Sequence, residues 1–530
     1  MADPRQPLRF APPARRGIVA LVLAAAALAA DAPAQTASQL TPADALPPAR
    51  PLDGSLVFSG APGLTPPPGA ERLTIRIAAV EVEGTLPGME VPTQALRQRL
   101  TGGRIRASEL FEAAAELEQA YANEGYVLAR VVLPEQRLRD GGTLRLRVID
   151  GFVERIDDSA VPEEVRTPLR RLTEPLVGRR GLRLAEIERR ILLAGDTYGV
   201  ALGSALQAGA SPGGTVVVLD PEYRGVTGFV GLDNSLSEAL GTWKLDGGIE
   251  VNGVLGLGES IYGRVSGHPG RLQTLTFGAV APVGRNGLTV NVEAVRSETD
   301  AEEDGPDLPS EFERAALRLF YPWIRSRDFN LTTRLAFDAQ DDRLDIDDGD
   351  ATLPVYEDSS RVARLAADAF WLTEGQATIE VGAELSFGLD CCGARTADDA
   401  GGGTPLSREG ADAEFTKLVL SGRARVPFGD DVQLTVNGRA QTSFGEPLLV
   451  AEQFGLASPR EISPLDAGTL LGDSGWVLRG ELARRWETEA GDLPLSVAPF
   501  VFAATGRVSL EQPGADERGE TGASAVGVGV

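Results

Sequence analysis

The chain has 530 residues, a single histidine, two cysteines and a formal net charge of −25. One compact core is too small for this length, so acidic a surface is a poor partner for nucleic acid, and one histidine excludes both an HExxH helix and a histidine-rich zinc cage. The acidity is local: residues 72–224 carry 21 Arg against 22 acids, whereas 225–530 carry 25 basic against 49 acidic residues.

In chain order, Arg15 and Arg16 precede an apolar run from Gly17 to Ala30, too short to span a bilayer, and Ala32-Pro33-Ala34 offers the small residues of a cleavage site. Residues 1–34 therefore read as a secretory signal peptide, and the mature chain is expected from near Gln35. Residues 35–71, with "LPPARP" and "TPPPG", read as a flexible Pro-rich linker containing one candidate short helix at "SQLTPADAL".

From Leu73 the grammar is mixed α and β. Ile75, Ile77, Val80 and Val82 predict a strand ending at Gly84. Pro92 opens a helical stretch, and Ser108 is the expected N-cap of a second helix whose Leu110, Ala114, Leu117 and Tyr121 share one face. Strands are predicted at "YVLARVVLP" (126–134) and "TLRLRVIDG" (143–151). The same β-α-α-β-β order recurs: a strand at 152–156, helices at 162–172 and 184–194, and strands at 199–206 and 214–220. Two consecutive small α/β domains, 72–151 and 152–224, are the expectation.

Beyond Arg224 the pattern changes to period two. "LTVNVEAV" sets Leu288, Val290, Val292 and Ala294 against Thr289, Asn291 and Glu293, and "ATIEVGAELSFG" (377–388) and "VQLTVNGRAQ" (432–441) alternate likewise. In "WVLRGELARRW", Trp476, Leu478, Leu482 and Trp486 share one face and Arg479, Glu481 and Arg485 the other. Ten residues at ~3.3 Å rise, tilted by ~45°, cover roughly 24 Å, close to the apolar band between two aromatic girdles. Residues 225–530 are thus predicted to form an antiparallel transmembrane β-barrel, with Arg484 snorkelling near a strand end. The acidic inserts at 297–311, 338–358 and 390–402 are expected as long loops on one rim.

The stretch "ANEGYVLARVVLPEQRLRDGGTLRLRVIDGFVERI" (122–156), the related "ILLAGDTYGVALGSALQAGASPGGTVVVLD" (191–220) and the turns in "LDNSLSEALGTWKL" and "VNGVLGLGES" together resemble the two-partner secretion transporters of Gram-negative outer membranes, the haemolysin secretion/activation proteins. The resemblance covers residues 72–530. It implies two POTRA (polypeptide-transport-associated) domains in the periplasm and an outer-membrane barrel of sixteen strands ending on an aromatic residue; this sequence stops at "GASAVGVGV", so the expectation is either that about two further strands follow Val530 or that this version does not close normally. It also implies a monomeric pore, embedded in outer-membrane lipid, that exports one large unfolded partner protein without nucleotide hydrolysis, cofactor or metal. Tyr126, Pro134, Gln136 and Gly151 fall on the POTRA signature and are the candidate cargo contacts. Residues 35–71 are placed where the family carries a plug helix. Gln441, Ser443, Glu452, Gln453 and Phe454 match the entry to a loop that folds back into the barrel, and Arg460 falls at its tip arginine. Arg460 is therefore expected to anchor the loop on wall acids, although "PREI" (459–462) lacks the family's glycine and aromatic and Glu461 offers a local partner.

The alternative within the same superfamily is an assembly factor that inserts barrel proteins or lipids. An enzyme is not expected. Cys391 and Cys392 are adjacent and read as two thiols, or a local ring, in a surface loop. His268 lies in a turn. "DIDDGD" (345–350) fails the spacing of a calcium loop, and "GLGES" (256–260) reads as a strand turn, not a phosphate loop.

Overall fold

The computed structural model describes residues 35–47, 56–58, 66, 68–301, 307–347, 351–490, 493–515 and 517–530; the expected signal peptide lies outside them.

In the first α/β module, helices Glu90–Leu100 and Ala107–Asn123 cover a four-stranded sheet ordered Arg104–Arg106, Thr74–Glu83, Gly142–Ile149, Arg130–Val132. The predicted helical face, Leu110, Ala114, Leu117 and Tyr121, packs on Leu144, Leu146 and Val148. Arg145 and Arg147 point the other way and pair with Glu81 and Glu83 at 3.3 and 3.2 Å. Two details differ from expectation. The second helix begins at Ala107, with Arg106 at its N-cap and Ser108 inside the first turn. The strand expected over 126–134 shrinks to Arg130–Val132, because Ala129 N donates to Tyr126 O in a turn that sinks both residues into the core.

The second module repeats the plan with Phe152–Asp157, Glu163–Thr173, Leu184–Gly195, Val200–Ala208 and Gly214–Tyr223. Val165, Leu169, Leu172, Ile187 and Ile191 from its helices meet Leu202, Leu206 and Leu219 of its sheet. Its outermost strand comes from elsewhere: Leu56–Phe58, inside the segment read as a flexible linker, pairs in parallel with Ser204–Leu206. This module sits on one rim of the large sheet. Arg189 donates to Pro322 O at 2.7 Å, Arg325 grips Asp196 at 2.7 and 2.8 Å, and Arg327 pairs with Glu188 at 3.0 Å.

The remaining chain forms a 14-stranded antiparallel meander from Val226–Asp233 to Glu520–Gly529, each strand paired with its neighbours in sequence within the sheet; the family resemblance implies sixteen strands, and these two edges are not paired with each other among the described residues. Burial fixes which face is inside. Along Leu288–Thr299, Asn291 is 0% and Glu293 5% exposed while Val292 between them is 49% exposed. A soluble sheet would bury the valine; here the polar side chains are enclosed and the apolar ones face out, as a bilayer requires. Trp476, Leu478 and Leu482 are exposed on the same outer surface and Arg479 is buried; the strand ends at Arg484, and Trp486, expected on it, opens a separate short hairpin strand, Trp486–Ala490. Outward tryptophans stand near both ends of the wall, Trp323 and Trp371 by the turns facing the α/β modules and Trp476 by the opposite rim. Arg484 pairs with Asp431 at 2.8 Å at a strand end.

The acidic inserts need a correction. Phe329–Asp347 and Thr352–Leu372 run 19 and 21 residues, so much of 338–358 is strand and not loop. At ~3.3 Å per residue and a ~45° tilt a 19-residue strand rises roughly 44 Å, well beyond the ~25 Å apolar band. Asp338, Gln340 and Asp342 alternate into the enclosed side, which is why an acid-rich sequence still pairs as sheet.

Candidate functional site

The enclosed face of the barrel holds two polar constellations. In the first, Glu293 of Leu288–Thr299 and Arg314 and Arg318 of Ser310–Arg325 sit on adjacent antiparallel strands, and the pleat turns all three inward. The Glu293 carboxylate accepts from Arg314 at 3.2 Å, Arg318 at 3.0 Å and the Tyr262 hydroxyl at 2.9 Å. Unpaired, any of these buried charges would be costly; together they are compensated.

This network holds a segment of the chain's own backbone. Residues 35–47 lie inside the lumen, with a single helical turn at Ala37–Leu40 where a short helix was expected. Ala37 N donates to Ser310 Oγ at 3.2 Å and Ala45 N to Glu293 Oε2 at 3.1 Å. Arg314 donates to Pro42 O, Arg318 to Ala43 O and Arg264 to Leu46 O, at 2.9, 3.0 and 3.1 Å. These five contacts go to the segment's backbone, and its side chains are held as well: Gln35 Oε1 accepts from Ser237 Oγ and Asp44 pairs with Arg334 at 3.8 Å.

The second constellation roots an inward loop, 443–473. Glu452, wholly buried, pairs with Arg364 and Lys417 of the wall, both at 2.6 Å. Burial alone would raise its carboxyl, but Arg364 and Lys417 hold it down at about 2. Asp473 closes the loop base: it pairs with Arg408 and accepts from Leu448 N at 3.0 Å and Glu511 N at 2.7 Å. At the tip, Arg439 of Val432–Thr442 donates to both carboxylate oxygens of Glu461, at 2.8 and 3.0 Å, and lies 4.1 Å over the Phe454 ring. Arg479 donates to Glu461 O and Ser463 Oγ. Ile462, where an aromatic was expected, is buried with Phe454, Leu456, Val477 and Val508.

Arg460 makes none of these bonds. It is exposed and, with Arg423, Arg439, Asp368 and Glu380, lines a cavity of the lumen; among the described residues it has no carboxylate at ion-pair distance. The loop thus supplies carboxylates and the wall supplies cations, the reverse of the polarity expected. The pairings of Arg439 with Glu461 and of Glu452 with Arg364 and Lys417 join wall to loop over many positions of sequence, so the sequence showed Arg439 only as a charge on the polar side of an alternating strand and Glu452 only as part of the loop entry.

The four POTRA candidates have structural partners. Tyr126 is buried, donates to Pro87 O at 3.1 Å and stacks under Arg183 of the second module at 5.1 Å. The Gln136 amide donates to Arg145 O at 2.7 Å and accepts from Arg145 N at 2.9 Å, and also reaches Pro134 O at 3.3 Å. Gly151 is buried so tightly that an added Cβ would fall 2.0 Å from Leu128 O. Cys391 and Cys392 are free, the latter with φ of 57° in a loop on the far rim. Among the described residues no group of three or more His, Cys, Asp or Glu is placed to hold a metal ion.

Residues 213–530 match the family model for haemolysin secretion/activation proteins ShlB/FhaC/HecB, and residues 75–151 match that of the ShlB-type POTRA domain. Among curated proteins, the heme/hemopexin transporter protein HuxB of Haemophilus influenzae (strain 86-028NP) is 24% identical over 258 residues, 45% of this chain and 43% of that protein. The outer membrane transporter CdiB of Escherichia coli is 28% identical over 205 residues, 37% of this chain and 34% of that protein. The matches thus span less than half the length of these relatives. Among solved structures, CdiB from Escherichia coli superposes with a TM-score of 0.65 at 19% identity, covering 98% of this chain and 93% of that one; CdiB from Acinetobacter baumannii gives 0.57 at 15%, covering 97% and 91%. These likenesses establish the shared fold.

Proposed function

The chain belongs to the haemolysin secretion/activation protein family ShlB/FhaC/HecB, and from that premise we propose that it is a Gram-negative outer-membrane pore exporting one large, unfolded partner protein from periplasm to surface. The observation that carries this reading is the lumenal grip on backbone: Arg264, Arg314 and Arg318 each donate to a carbonyl of residues 42–46. A channel wall that holds polypeptide through carbonyls suits a cargo of any sequence passing in extended form. Carbonyl contacts are individually modest in a wet lumen, so a chain held this way can also be released stepwise.

In this reading the α/β modules face the periplasm and receive the cargo's extended leading segment. The lumen provides a polar path, and folding outside biases travel outward. No residue acts as a catalyst. Arg460 is assigned to the path itself, where it adds positive charge beside Arg423 and Arg439. Deleting the gene and comparing the surface and secreted proteins tests the proposal. Loss of a single large secreted protein supports it; depletion of many barrel proteins would instead indicate an assembly factor.

A further inference from the structure

At the end of the wall that faces the α/β modules, four connections are tight: only 284–287, 326–328, 373–377 and 429–431 separate one strand from the next. The connection between Ser474–Arg484 and Phe500–Ser509 is different. There the chain forms a further hairpin, Trp486–Ala490 with Leu493–Val497, a two-stranded sheet that joins no larger one. An isolated two-stranded hairpin is marginal in water, so this one calls for a surface to lie on.

Its register is that of the wall. Ala483 pairs with Phe500 in the last rung of the wall and Trp486 with Val497 in the first rung of the hairpin, three residues on along each strand. The pleat therefore carries the outward face, on which Leu482 and Val501 stand opposite each other, past Arg484 to Trp486 with Val497 and then to Thr488 with Leu495. Leu482, Val501, Trp486 and Leu495 are all about half-exposed among the described residues. The other face of the hairpin carries Glu487, Glu489 and Ser496, which are exposed too. Ten residues at ~3.3 Å, tilted by ~45°, put roughly 24 Å between Trp476 and Trp486, the height of the apolar band. Trp486 thus falls at headgroup level on the modules' side, beside Arg484, whose guanidinium lies 5.2 Å from the indole centre and pairs with Asp431 at 2.8 Å. An amphipathic ring with a cation beside it suits that level.

We propose that this hairpin is an interfacial foot. Its Trp486, Thr488, Leu495 and Val497 face lies against the phospholipid headgroups of the leaflet on the modules' side, and Glu487 and Glu489 turn to water. Unbroken continuity with the lipid-facing wall selects lipid as the occupant over a protein partner. The wall strand from which the foot hangs starts beside Asp473, at the base of the inward loop, so the foot sets the membrane depth of the strand that leaves that loop. The inference rests on the outward apolar face of the wall and not on export.

The test uses the full chain in a Cys391→Ser/Cys392→Ser background, with a fluorophore attached at Leu495→Cys, at Ser496→Cys or, as a wall control, at Val501→Cys. Each protein is placed in vesicles of phosphatidylethanolamine and phosphatidylglycerol doped with a phosphatidylcholine that carries a nitroxide on its headgroup, and heat-modifiable migration verifies that it is folded. The label at 495 is expected to be quenched by the nitroxide lipid about twofold more than the label at 496, and by aqueous iodide about twofold less. Trp486→Ser/Val497→Ser should abolish both differences while the label at 501 stays shielded from iodide. A label at 495 as open to iodide as that at 496 would place the hairpin in water, and one shielded from iodide yet untouched by the nitroxide lipid would place it against protein. Either result with 501 shielded, or differences that survive the double substitution, would overturn the inference. A label at 501 open to iodide would remove the outward apolar face itself, and the foot with it.

Discussion

Glu461 accepts both hydrogen bonds of a bidentate pair from Arg439, at 2.8 and 3.0 Å, so the tip of the inward loop is fixed by a loop carboxylate on a wall guanidinium. Arg460, its neighbour in sequence, makes no such pair and lines the lumenal cavity beside Arg423. Because the Arg439 side chain keeps 35% of its exposure, the pair is worth about 0.5–1 kcal/mol. Glu461→Gln and Arg439→Ala should each loosen the loop to a similar, non-additive extent, read as faster proteolysis within 455–470. Arg460→Ala should leave that cleavage unchanged while lowering anion preference in planar-bilayer recordings. Faster cleavage in Arg460→Ala would return the anchoring role to Arg460.

The loop root is the stronger fixture. Removing Glu452 leaves Arg364 and Lys417 buried without their shared partner, a loss of about 3–5 kcal/mol. Glu452→Ala should therefore lower the temperature at which the protein loses its compact gel migration far more than Glu461→Gln does.

The same carboxylate sets a pH limit. Its pKa is depressed from the ordinary 4.5 to about 2, so its contribution is fully present above pH 4.5 and is lost as pH falls from there through 2. Loop protection from protease should be flat between pH 5 and 8 and decline below 4.5. In Glu452→Gln the acid limb should disappear.

Arg314 and Arg318 hold both Glu293 and the lumenal segment. Arg318→Ala should free the backbone at Ala43 and raise single-channel conductance several-fold, with a further rise in the Arg314→Ala/Arg318→Ala pair. Unchanged conductance would mean the segment does not obstruct the path.

Gly151 closes the first module against Leu128. A Cβ 2.0 Å from a backbone oxygen cannot be absorbed by a side-chain shift, so Gly151→Ala should cost about 1–3 kcal/mol or more. Limited proteolysis should cut first within residues 124–151.

Where structure follows from local periodicity, the sequence was readable. The amphipathic helix at 107–123 and the alternation at 288–299 each announce their buried face within a dozen residues. What stayed hidden depends on distant partners. Nothing in "SLVFSG" marks a strand until the edge at Ser204–Leu206 is brought to it. The 338–347 stretch looked like a loop because acids are rare in strands, yet Asp338, Gln340 and Asp342 meet an enclosed polar face that tolerates them. The loop's charge polarity was misjudged for a similar reason: Glu461 and Arg439 lie 22 positions apart, and only the pairing of wall and loop shows which carries the acid.

The central claim is that the large sheet is apolar outside and polar within, and spin-label accessibility along Leu288–Thr299 in lipid vesicles tests it most directly. Labels placed one at a time at 289–297 should alternate, with 290, 292 and 294 accessible to oxygen from the bilayer and 291, 293 and 295 shielded from it. Uniform accessibility to a water-soluble nickel reagent at both sets of positions would contradict the account.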